Sequence, residues 1–106
     1  MDENEQLASL INKDLDSFEE GMVIPVTSLD RNMIRAKLAL LIEHLLQNNF
    51  EKLCQAMYRL DVSEAKFHRV MTEKPSGEIS SSLADLVIDR EMQKVRTRIM
   101  HNRGEL

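Results

Sequence analysis

Tryptophan is absent from this chain of 106 residues, and its aromatic residues are Phe18, Phe50, Tyr58 and Phe67 alone. The core must therefore be filled by leucine, isoleucine and the seven methionines, whose unbranched side chains tolerate imperfect fits. Three glycines and two prolines are too few for a sheet fold with repeated tight turns. A single cysteine, Cys54, excludes an internal disulfide, and a reduced, cytoplasmic compartment is the expectation. No apolar run of 18 residues exists to span a bilayer, and the N-terminus lacks the charged, apolar and small regions of a leader. No Cys-x-x-Cys, His-x-x-x-His, Gly-x-Ser-x-Gly or glycine-rich phosphate loop is present. The expectation is a non-enzymatic protein without metal or cofactor.

What is present is helical periodicity. Residues 33–46 carry apolar side chains at 34, 38, 41 and 45, with Leu40, Ile42 and Leu46 adding apolar surface on other sides. A helix over 29–47 that is apolar nearly all round belongs at the centre of a bundle. Around it the pattern predicts an all-α fold of four to five helices in a single domain, 1–106. A first helix over 4–20 buries Leu7, Leu10, Ile11, Leu15 and Phe18 and is stopped by Gly21. Residues 22–27 hold Pro25 among β-branched neighbours and read as an extended strap. Thr27, Ser28 or Asp30 caps the central helix, and Asn49 caps the third, whose apolar side chains are Phe50, Leu53, Cys54, Met57, Tyr58 and Leu60. Asp61 and Glu64 have capping-box spacing before a short fourth helix that ends near 72 and buries Val62, Ala65, Phe67, Val70 and Met71. The turn at Lys74-Pro75-Ser76-Gly77 then leads into a long last helix over about 79–101.

That last helix changes face. Ile79, Leu83, Leu86 and Val87 form one stripe; Ile88, Met92, Val95 and Ile99 form another, roughly 160° away around the axis. The first stripe should pack on the bundle. The second, with Met100, should pack on something approaching from the other side, most simply a second copy, so the expectation is a homodimer through Ile88, Met92, Val95, Ile99 and Met100.

Charge is asymmetric. Residues 1–20 set Asp2, Glu3, Glu5, Asp14, Asp16, Glu19 and Glu20 against Lys13, whereas the tail holds Arg90, Lys94, Arg96, Arg98 and Arg103 against Glu91 and Glu105. Head and tail can neutralise each other, within a subunit or between two. Alternatively the basic residues, with His101, contact an anion or a nucleic-acid backbone. The net charge of −4 and the lack of aromatics in the tail weigh against nucleic acid. Missing Trp or Phe anchors weigh against a membrane surface. Glu64 with His68, and Asp85 with Asp89, have i,i+4 spacing that suits surface ion pairs better than a metal. Cys54 reads as a buried structural thiol. An unfamiliar catalytic site would have to use Glu43, His44, Tyr58 and His68. The reading that follows is a small cytoplasmic interaction or regulatory module, homodimeric, with protein partners.

Overall fold

The computed structural model describes residues 3–15 and 30–102. The expected roles of Phe18, Gly21, the strap at 22–27, the caps Thr27 and Ser28, and Arg103 fall outside those residues, as does the side chain of Leu15. Five α-helices make up the described chain, with no strand among the described residues: α1 (Glu3–Leu15), α2 (Arg31–Asn48), α3 (Phe50–Arg59), α4 (Glu64–Glu73) and α5 (Ile79–Asn102), the last preceded by a 3-10 turn over Ser76–Glu78. The all-α bundle expected from the sequence is what forms.

α2 starts at Asp30, whose side chain accepts a hydrogen bond from the Met33 amide at 2.8 Å. Its buried residues are Ile34, Leu38, Ile42 and Leu45, packed chiefly on α5 and on α3. Its opposite side is open. Leu40 is 72% exposed and Met33 45%. The expectation of a helix covered nearly all round is corrected: α2 is one-faced, because α3 and α5 approach it from the same side.

Asn49 serves two helices. Its amide donates to the Leu45 carbonyl at 2.8 Å, closing α2, and its side-chain oxygen accepts from the Lys52 amide at 3.1 Å, opening α3. Inside α3, Leu53, Ala56 and Met57 are buried. Tyr58 is not on this face; it is 81% exposed.

α3 ends in a Schellman motif. The Val62 amide donates to the Met57 carbonyl at 3.0 Å and the Asp61 amide to Tyr58 at 3.0 Å. Asp61 occupies the left-handed position, at φ 63°, where glycine is usual. Arg90 steadies it, donating to the Asp61 carbonyl at 3.1 Å and to its carboxylate at 2.6 Å. The expected capping role of Asp61 is therefore corrected: Ser63 caps α4, accepting from the Lys66 amide at 3.3 Å. In α4, Val70 is buried, Phe67 and Met71 are half-buried, and Ala65 is exposed.

α5 is the element on which the others are laid: α2, α1 and α4 all pack along it. At 24 residues it is ~36 Å long, enough to hold partners at different heights and on different sides.

Candidate functional site

The second apolar stripe of α5 is covered from within the chain. Ile88, Met92 and Val95 are 2%, 2% and 1% exposed, while Leu7, Ala8 and Ile11 of α1 are fully buried. α1 packs on α5, with a smaller contact to α3. The two-faced pattern of α5 is thus met by α1, and a second copy is not needed to explain it. Of the five residues expected at a dimer interface, only Ile99, half-buried, and Met100, 38% exposed, keep accessible apolar surface.

The same packing brings the acidic head to the basic tail. Glu3 pairs with Arg96 at 3.4 Å, and Asp14 pairs with Lys94 at 3.3 Å. Arg90 is held by Asp61. Of the candidate phosphate contacts, Arg98 and His101 have no ion pair among the described residues. Both line a shallow groove with Arg90, Lys94 and Thr97. Asp85 is taken by Arg35 of α2 in a two-point contact, 2.6 Å and 3.1 Å, that clips α2 to α5.

Between α1 and α5 lies a group that the sequence reading did not single out. Glu91 is fully buried, and neither of its carboxylate oxygens has a hydrogen-bond partner among the described residues. The Lys94 ammonium pairs with it at 3.2 Å and divides its other donors between the Leu60 carbonyl at 3.0 Å and Asp14 at 3.3 Å. Burial, and then the neighbouring Asp14 carboxylate, push the Glu91 carboxyl up to about 7, against the opposing pull of Lys94. Its position carried a signal: it flanks the stripe of 88, 92 and 95 at helical spacing, so any element covering that stripe must bury it.

The outer surface of α3 and α4 holds most of the aromatic content of the chain. Phe50 is 46% exposed and Tyr58 81%. The Phe50 ring lies 6.4 Å from that of Phe67, itself half-buried. Cys54 is half-buried, one turn from both Phe50 and Tyr58, so it sits at the edge of the core rather than inside it. Asn49, Glu51, Gln55 and Arg59 complete an open groove along this side of α3.

Among the described residues, no three His, Cys, Asp or Glu side chains gather to hold a metal ion, and no helix is long and apolar enough to cross a membrane. His44 and His68 are exposed on different helices, α2 and α4. No protein-family model, curated protein or solved structure matches the chain.

Proposed function

We propose that this protein is a non-enzymatic, cytoplasmic interaction module that docks a protein partner on the outer face of α3 and the adjoining edge of α4. One observation carries the reading. In a chain with four aromatic residues, Phe50 and Tyr58 are spent on the surface and Phe67 touches Phe50, while aliphatic side chains fill the core. Exposing a large ring gains nothing for folding, whereas tyrosine and phenylalanine are enriched where proteins bind one another. The nucleic-acid alternative is weakened because Arg90, Lys94 and Arg96 are engaged with Asp61, Asp14 and Glu3.

The test is site-specific photo-crosslinking in the native cell. A benzophenone amino acid replaces Tyr58 in one chain and exposed Glu73 in a control. A discrete protein adduct from position 58, absent from position 73, is expected. Equal adducts from both positions, or none from 58, overturn the reading.

A further inference from the structure

We infer that α1 is a proton-controlled latch: it stays docked on α5 while the Glu91 carboxyl is protonated and comes away as a unit when that carboxyl ionises, with α2 to α5 remaining assembled. The inference is independent of what docks on α3. α1 is joined to the bundle by its packing on α5 and a smaller contact to α3, whereas α2 is held on α5 by more extensive packing and by the Arg35–Asp85 clip. Leu7, Ala8 and Ile11 of α1 and Ile88, Met92 and Val95 of α5 are buried where the two helices meet, and Glu91 is sealed there with them. Among the described residues it is the one buried charged side chain.

Few charged groups face it. α1 presents Asp14, with the neighbouring Lys13 turned to solvent. α5 presents Lys94, 3.2 Å away. The end of α3 presents the Leu60 carbonyl, which takes a Lys94 donor, and Asp61, which is held by Arg90; Arg59 is exposed. One ammonium therefore serves two carboxylates, one from each helix of the joint. With a proton on Glu91, one negative charge faces one positive charge, and the added O–H can donate to Asp14 from α5 to α1. Without that proton, two negative charges share one lysine in a site closed to water and repel each other across the joint. Undocking α1 hydrates both. At 13 residues α1 is marginal as an isolated helix, so once undocked it unwinds and its amides exchange with solvent.

Glu91 ordinarily releases its proton near 4.5 and in the docked state holds it to about 7. The docked state binds the extra proton between those values, so docking weakens as pH rises, and the undocked population should grow roughly 30-fold from about pH 5.5 to about pH 8.5. Hydrogen exchange of the full chain, corrected for the intrinsic pH dependence of amide exchange, reads this directly. Protection of residues 7–15 should fall roughly 30-fold across that range, with α1 exchanging well before α2, and should stay level in Glu91→Gln. His44, His68 and His101 are exposed and unchanged in that variant, so a fall caused by them would survive the substitution. Asp14→Asn gives Glu91 the whole of Lys94 and should reduce the fall to roughly 10-fold or less. That second variant carries the test if the amide of Glu91→Gln disrupts the fold, which circular dichroism at 222 nm checks.

Protection of α1 that is independent of pH overturns the proposal. So does exchange of α1 in step with α2, since the response would then be unfolding of the whole bundle. A fall that Glu91→Gln keeps in full, or that Asp14→Asn leaves at the wild-type size, overturns it as well.

Discussion

Replacing Glu91 by glutamine should remove most of the pH dependence of stability between pH 5 and pH 8. The unfolded chain releases the Glu91 proton near 4.5, whereas the folded chain, with the carboxyl buried beside Asp14, holds it to about 7. Between those values the folded state binds more protons, so stability falls as pH rises. No loss is felt below 4.5, and the full loss is reached above 7. At ~1.4 kcal/mol per pH unit, the ionised folded protein bears a cost of about 3 kcal/mol from this one group. The Glu91→Gln amide does not titrate, so the variant lacks that slope. It also buries an amide that needs partners, which offsets about 1–2 kcal/mol of the gain at pH 8. The assay is urea unfolding at pH 5, 6, 7 and 8, followed at 222 nm because the chain has no tryptophan. Asp61, held below the ordinary carboxylate range by Arg90, titrates at lower pH and does not disturb this window. The wild type should lose stability steadily across the series while the variant stays nearly level, crossing above it by pH 8. Parallel curves for the two proteins would refute the reasoning.

Leu38→Ala should cost about 2–5 kcal/mol in the same unfolding assay and Leu40→Ala less than about 0.5 kcal/mol, because Leu38 is 1% exposed and Leu40 72%; equal losses would restore a fully covered α2. Gly77→Ala should leave stability unchanged or raise it by about 0.4–1 kcal/mol, since a methyl group there meets nothing within 4 Å. A loss above about 1 kcal/mol on Gly77→Ala would show that the turn needs glycine. Val95→Glu places a carboxylate under α1 and should unfold or loosen the bundle by thermal melting, at a cost above about 3 kcal/mol; a variant with unchanged melting would put Val95 outside the core.

Helix existence was legible because apolar periodicity is local: each of the five helices follows from residues three and four apart. Asn49 and Ser63 could cap because side-chain oxygens satisfy amides within the next turn, and Asn49 was readable for that reason. Asp61 misled for a related reason. An aspartate before a helix and an aspartate after one look alike in sequence, and only the left-handed backbone, clamped by Arg90, places it at the end of α3. What periodicity could not supply was the identity of the neighbour. A helix that changes face requires two things to pack on, and α1 and a second copy satisfy that requirement equally until the chain is traced.

The charges held the discriminating information. An acidic first helix and a basic last one attract whatever the fold, but the spacing is specific. Glu3 and Asp14 are eleven residues apart, about three turns, so both lie on nearly the same side of α1 and reach Arg96 and Lys94 together. Leu7 and Ile11 fall between them on that side and are buried. An amphipathic helix whose apolar stripe is bracketed by two carboxylates needs an apolar stripe bracketed by cations, and the second face of α5 offers one. Glu91 is the cost of that match. A stripe left facing solvent would have kept its carboxylate hydrated; once α1 closes over Met92 and Val95, the same carboxylate is sealed beside Asp14 and shares a single lysine with it. The docking of α1 and the raised proton affinity of Glu91 are therefore one event seen twice. A change that releases α1 should return Glu91 toward 4.5, which makes the carboxyl of Glu91 a reporter of whether α1 is in place.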